Sequence, residues 1–232
     1  MNLVKDSNSR TAILLFAQSE NVESIIKPIF PSAKQNLLLW KKMNGNALKT
    51  IQKTKLSYFI STEKNQVGTS FGEKITNAIQ HVFDQGFEKV IVIGNDCIEL
   101  KSHHLLQVDR DLKTNSLVIG SDYSGGAYLI GVRKSTFNSA NFQRIPWQSK
   151  DVFTALQSLY KEQSIAYLPF LNDCDDASDF KKAIHKLSFS DDFRKLLLSF
   201  FNSLKVKKNS EIKFISTAYQ AVNFNKGSPF PL

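Results

Sequence analysis

The chain has little cysteine: Cys97 and Cys174 are the only two in 232 residues. Two cysteines make no disulfide framework. With no CxxC and four scattered histidines (His81, His103, His104, His185), there is no structural zinc pattern either. No apolar run approaches the roughly 20 residues that a bilayer span needs. Residues 11–17 are too short for a signal sequence, and Lys5, Asp6 and Arg10 before them are separated by polar residues. The expectation is a cytoplasmic chain with no membrane span. No G-x-S-x-G elbow or Ser/His/Asp arrangement is present, which disfavours hydrolysis by a serine nucleophile. No helix-turn-helix, zinc or RNA-recognition signature occurs, so nucleic acid is not an expected partner. There are no internal repeats and no low-complexity segments.

What the chain does have is 42% apolar residues, enough for a sizeable core in one α/β domain with or without an appendage. The net charge of +9 is uneven: ten Lys/Arg against Asp191, Asp192 and Glu211 from Lys181 onward leave only +2 for the first 180 residues. That basic stretch reads as solvated helical faces, with an acidic partner as the alternative. Residues 1–180 are therefore read as the main domain and 181–232 as a basic helical appendage packed on it. A homodimer through that appendage and the apolar, Pro-broken tail 223–232 is a partner expectation.

The centre of the pattern is KVIVIGNDCIEL, residues 89–100. Its unbroken β-branched run predicts a strand buried on both faces, as in a parallel sheet covered by helices. Helical stretches at 71–85 and 102–112 flank it, the first stopped by Gly86. Further strands are expected at 11–17, 56–60, 116–120, 127–132 and 165–168. Further helices are expected at 32–54, with Gly45 a candidate break, at 150–160 with Ser149 as N-cap, after Asp176 or Ser178, and at 191–204 and 209–221. Residues 18–29 read as a loop with a short helix, and 137–147 as irregular.

Ligands bind at the carboxyl ends of the strands in such sheets, which makes Asp96 the first candidate. A carboxylate there holds a hard divalent cation or caps the next turn. Asp173 and Asp175 have Asp-x-Asp spacing in an acidic cluster with Asp176 and Asp179, which suits either a cation or a helix N-terminus. The glycines of Asp122-Tyr123-Ser124-Gly125-Gly126 allow close approach of a ligand or make a tight turn. Gly68-x-x-x-Gly72-x-Lys74 places glycines and a cation at a helix start, suited to phosphate, although it is not a Walker A sequence. Trp147 and Tyr128 line a sugar or base pocket or belong to the core. Cys97 and Cys174 each sit beside acidic residues, which would bring both near one site.

Taken together, six ordered blocks resemble one family. They are FAQ at 16–18, GTSFGEKITNAI from Gly68, IGNDCIEL from Ile93, IGSDYSGGAYLIG from Ile119, IPWQSKDVF from Ile145 and LPFLNDCDDASDF from Leu168. The chain is similar, from about residue 11 to 180, to the radical-SAM/selenodomain-associated transferases, predicted glycosyltransferases of the glycosyltransferase-A, nucleotide-diphospho-sugar transferase fold. The resemblance implies a three-layer Rossmann-like mixed sheet. It implies nucleotide binding by Phe16, Ala17, Gln18, Lys27, Gly68, Lys74 and Asn95. It implies Mg²⁺ or Mn²⁺ on Asp96 and Asp175, and a substrate pocket at Ser124, Gly125, Gly126 and Trp147. Asp122 is the candidate general base beside Asp96.

The chain departs from the family pattern in four places. The loop SENVESIIKPIF lacks the family's Pro/Gly-rich Lys-Thr-Arg segment and keeps only Lys27. Ser124 replaces the Asp of Asp-Gly-Gly, Ile98 replaces a Pro, and Lys74 replaces an Arg, losing its bidentate fork. The leading expectation is transfer from a nucleotide-activated sugar. The alternatives are nucleotidyl transfer on the same fold, or a non-catalytic binding protein acting through its basic appendage.

Overall fold

The computed structural model describes residues 10–201. The expected helix at 209–221, the tail 223–232 and the dimer contact assigned to them lie outside the described residues. β1 (Thr11–Phe16), β2 (Ser57–Ser61), β3 (Lys89–Ile93), β4 (Leu117–Ser121), β5 (Ala127–Arg133) and β6 (Ile165–Tyr167) form one sheet in the order β2-β1-β3-β5-β4-β6. β1 pairs in parallel with β2 and β3, and β4 with β6, while β5 runs antiparallel between β3 and β4.

The lack of polar alternation in β1 and β3 has a direct cause: both faces of the sheet are covered. Ala12, Leu14, Phe16, Val90 and Val92 pack with Ile75, Ile79, Val82 and Phe83 of α3 (Phe71–Asp84). The alternating residues Ile13, Leu15, Ile91 and Ile93 pack with Leu105 and Val108 of α4 (Ser102–Asp111) and with Ile51 of α2 (Ala33–Gln52). Each fully buried Ile, Leu or Val contributes about 1.5–3 kcal/mol, so these two strands anchor both outer layers. A third apolar cluster joins Leu39, Trp40 and Met43 of α2 to Phe180, Ala183 and Ile184 of α7 (Ala177–Lys186) and to Leu197 and Phe200 of a helical segment at 192–201. α7 runs across position 180, and its inner face belongs to this cluster.

Helix ends follow their capping chemistry. Ser70 Oγ accepts from Glu73 N–H at the start of α3, and Glu73 reaches back to accept from Ser70 N–H, a reciprocal capping box. Asp176 accepts from Ser178 N–H and Asp179 N–H, so Asp176, not Ser178, caps α7. α2 is unbroken through Gly45. A helical glycine costs about 1 kcal/mol relative to Ala, which burial of Leu39, Trp40, Met43 and Ile51 outweighs.

Two expectations need correction. Residues 137–147, read as irregular, contain a short α5 (Ser139–Gln143) capped by Asn138; five residues are too few to show a helical period. α6 (Val152–Leu159) starts after Asp151, and Ser149 is not its N-cap. The Ser149 hydroxyl instead donates to Pro146 O and accepts from Asp151 N–H, closing the turn before the helix.

The topology gathers one set of loops at one edge. β1, β2 and β3 end in register, with Phe16 opposite Ser61 and Leu15 opposite Ile93. The loop into antiparallel β5 and the segment after β6 open at the same end. A second cavity, of about 880 Å³, lies beside the edge strand β2, lined by Leu48, Tyr58, Phe59, Ile60, His81 and Val82 among others. Among the described residues, no helix is long and apolar enough to cross a membrane.

Candidate functional site

A cavity of about 570 Å³ opens at the carboxyl ends of β1 and β3. Phe16, Ala17 and Gln18 leave β1 into it, and Gly94-Asn95-Asp96 leave β3 beside them. A Cβ at Gly94 would lie 2.6 Å from Asp96 Oδ1, so the glycine lets the Asp96 carboxylate fold back against the backbone. Asn95 is 5% exposed and its amide is committed: Nδ2 donates to Asn44 Oδ1 at 2.7 Å and to Glu23 Oε1 at 3.4 Å.

The segment after β6 brings the other carboxyls to Asp96. Leu171 N–H donates to Ser121 O, Asn172 N–H to Glu99 Oε1 and Cys174 N–H to Asp96 O, and the Tyr128 hydroxyl donates to Pro169 O. With the strap pinned at four points, one carboxylate oxygen from each of Asp96, Asp173 and Asp175 lies within 4.8 Å of the others. Cys97 and Cys174 arrive with it as free thiols. Burial, and then the charge of Asp173, pushes both thiols up, so they are neutral near pH 7.

Lys27 Nζ sits against this triad, 2.8 Å from Asp96 Oδ2 and 2.6 Å from Asp175 Oδ1. Its backbone is fixed: Lys27 N–H donates to Glu23 O at the end of α1 (Glu20–Ile26), and Trp40 Nε1–H donates to Lys27 O. Burial works against the charge on Lys27, but the Asp96 and Asp175 carboxylates overcome it and hold its pKa raised. Burial likewise opposes charge on Asp96, and the Lys27 ammonium with a hydrogen bond from Asp173 reverses that to a lowered pKa. Asp173 takes the opposite course, pushed well up by burial and by the neighbouring Asp96 charge. Each carboxyl opposes ionisation of the other, and Lys27 favours the charge on Asp96, so the two shifts run in opposite directions.

The rest of the cavity wall is loop and aromatic. Asp122 Oδ1 accepts from Ser124 N–H, Ser124 Oγ–H and Gly126 N–H, at 2.7, 2.7 and 2.9 Å, so this carboxylate organises its own loop. Gly125 has φ +93°, and a Cβ there would collide with Lys150 O. Phe16, Phe71 and Trp147 form a chain of ring contacts along one wall, and Trp147 Nε1–H donates to Phe142 O. Asp96, Asp122, Asp175, Phe16, Ala17, Gln18, Lys27, Asn95, Ser124, Gly126 and Trp147 all line the cavity. Gly68, Lys74 and Gly125 do not. Gly68, at φ +127°, serves the tight approach of its loop to Glu73 at the start of α3.

Asp173 joins the site as the Asp-x-Asp spacing allowed, and Glu23 completes it beyond the residues expected for it. Glu23 is 4% exposed, and burial pushes its pKa up. Gln18 Oε1, Glu23 Oε2 and Gln66 Oε1 are all buried with no hydrogen-bond partner among the described residues, and all three residues line the cavity. Orphaned acceptors concentrated in one cavity point to a ligand with donors.

In donor type the triad fits a hard divalent cation, since all three side chains offer oxygen ligands. Lys27 is the one feature that competes with such an ion.

Residues 35–149 match the model of a family described as an uncharacterized protein conserved in bacteria (DUF2064), a match spanning just under half of the chain. No curated protein matches. A crystal structure from Desulfovibrio desulfuricans G20, named as a candidate nucleotide-diphospho-sugar transferase, is similar with a TM-score of 0.74 at 21% identity, covering 87% of this chain and 98% of that one. The Rv0371c homologue from Mycobacterium sp. strain JC1 reaches 0.48 at 10% identity, covering 83% and 98%. Rv0371c of Mycobacterium tuberculosis H37Rv in complex with manganese reaches 0.44 at 9%, covering 76% and 99%. The last two are too distant to bear on residue roles. The fold is the three-layer, mixed-sheet nucleotide-diphospho-sugar transferase type.

Proposed function

We propose that the cavity binds a nucleoside-diphosphate sugar with a divalent cation and transfers the sugar to an acceptor. The observation that supports this most is the meeting of Asp96, Asp173 and Asp175 at the carboxyl ends of the parallel strands, in the cavity that Phe16–Gln18, Gly126 and Trp147 also line. Mg²⁺ or Mn²⁺ held by Asp96 and Asp175 would neutralise charge on the diphosphate leaving group. Gln18, Glu23 and Gln66 offer unpaired acceptors to donor groups of the ligand. The Phe71–Trp147 wall offers a flat apolar face to a sugar or base. Asp122, fixed through Oδ1 by its loop, is the proposed acceptor of the proton released by the attacking hydroxyl.

Product analysis with a panel of nucleotide substrates tests this. Release of a nucleoside diphosphate, lost in Asp96→Ala, is the expected result. Release of pyrophosphate from a nucleoside triphosphate would assign nucleotidyl transfer instead. The ion pairing of Lys27 across the triad favours a second reading, a binding protein without turnover. Nucleotide binding without any product would support it.

A further inference from the structure

The place a cation would take in this site is already held by a cation of the chain itself. Lys27 Nζ bridges Asp96 Oδ2 and Asp175 Oδ1 at 2.8 and 2.6 Å, which are the two carboxylates best placed to ligate a metal through charge. The contact is built rather than incidental. The Lys27 backbone is tied at both its N–H, to Glu23 O, and its carbonyl, from Trp40 Nε1, and Pro28 follows directly. The Trp40 ring lies 5.9 Å from the ammonium, close enough for cation–π attraction. The Lys27 side chain is 27% exposed and that of Asp96 15%, so the pair is shielded and not readily screened by salt.

Breaking such a pair without replacing its charge is strongly unfavourable, because a partly buried carboxylate is left uncompensated. A divalent ion arriving alone must displace an ammonium that already neutralises the carboxylates. An ion arriving with a nucleotide brings its own remedy, since the diphosphate gives the released ammonium a new anionic partner. Gln18, Glu23 and Gln66 line the same cavity, and their buried oxygens, unpaired among the described residues, would accept from the hydroxyl or base N–H donors of that nucleotide.

We propose that Lys27 is the resident counter-ion of the acidic triad, that it keeps a bare divalent cation out, and that it yields the site by moving onto the phosphates of an incoming nucleotide. This rests on the nucleotide-and-cation reading of the cavity, and it assigns to one residue the order in which the two ligands enter. It also gives a physical role to the only cation left in the loop after β1.

The test is Mn²⁺ affinity measured by calorimetry on the purified full chain with no nucleotide present, for wild type, Lys27→Met and Lys27→Arg. Lys27→Met removes the charge and keeps most of the apolar stem. It is expected to bind Mn²⁺ at least tenfold more tightly than wild type, and Lys27→Arg, which retains the charge, to remain weak. Lys27→Gln, shorter and uncharged, should show the same gain and serves where Lys27→Met does not fold. Equal or weaker Mn²⁺ affinity in the neutral variants, or no binding in any of them, would overturn the proposal. The readout needs neither nucleotide nor turnover. A failed lysine gate is therefore distinguishable from a failed transferase assignment, which is read from nucleotide binding by the wild type.

Discussion

The cavity at the carboxyl ends of β1 and β3 measures about 570 Å³ and the one beside edge strand β2 about 880 Å³, yet the titratable groups crowd into the smaller. Glu23, Asp96, Asp122, Asp173, Asp175, Lys27 and Lys150 line the first. The second has Tyr58 and His81, with Leu14, Leu48, Phe59, Ile60 and Val82 around them. The difference is topological. The first cavity lies where several parallel strands release their loops side by side, so residues far apart in the chain converge there. The second lies where the sheet stops, and its lining is mostly the flanks of β2, α2 and α3. Volume alone does not locate chemistry in this molecule.

Substitutions in the two cavities should therefore separate stability from ligand binding. Phe59→Ala in the second cavity removes a ring that packs against Phe87 and His81. It is expected to cost about 3–5 kcal/mol of stability, read by denaturant unfolding, while nucleotide affinity stays at the wild-type value. A large loss of affinity in this variant would break the separation.

Gly125→Ala probes the first cavity through its backbone. The left-handed φ of +93° and the clash with Lys150 O both oppose a side chain. A stability loss of about 1–2 kcal/mol from the φ alone, together with weakened nucleotide binding, is expected because the loop organised by Asp122 would shift. Asp96→Asn should do the reverse: cation-dependent nucleotide affinity falls at least tenfold, about 1.4 kcal/mol, with a smaller change in unfolding midpoint than Phe59→Ala.

The smallest effect lies outside both cavities. His104 Nδ1 accepts from Lys101 N–H at the start of α4, and burial, then the neighbouring His103 and Lys101 charges, lowers its pKa from 6.5 to about 4. Below pH 6.5 the unfolded chain takes up this proton before the folded one, so stability falls as pH drops from about 6.5 toward 4. His104→Gln should flatten that part of the stability–pH curve and leave the curve above pH 7 unchanged.

What sequence reasoning reaches follows the same divide between local and convergent features. The strands and most helices are legible because their causes are local: a β-branched run at Val90–Ile93, the Gly86 stop after α3, a cap at Asp176 or Ser178 that the structure resolves to Asp176. Asp96 is legible because a polar stop after a doubly buried strand sits at the ligand-binding edge of such a sheet. Glu23 is not, because its burial depends on α1 packing against α2, which no pattern within residues 20–26 announces. The pairing of Lys27 with Asp96 spans 69 positions, and no spacing rule links them. Asp173 and Asp175 are visible as an acidic pair. That they reach Asp96 depends on the Leu171, Asn172 and Cys174 hydrogen bonds that pin the strap. α5 is missed because it is one turn long, and α6 begins late because Ser149 is engaged by Pro146.

On the proposed reading, the smaller cavity takes a nucleotide together with a divalent cation. The most direct measurement is the thermal unfolding of the wild-type protein against a panel of nucleoside diphosphates and nucleoside-diphosphate sugars, each with and without Mn²⁺. A ligand that binds only the folded state raises stability by about 2.7 kcal/mol at a hundred times its dissociation constant. A Mn²⁺-dependent rise in midpoint with at least one nucleotide, abolished in Asp96→Ala, is the expected result. A folded wild-type protein whose midpoint moves with no nucleotide, with or without Mn²⁺, would contradict it.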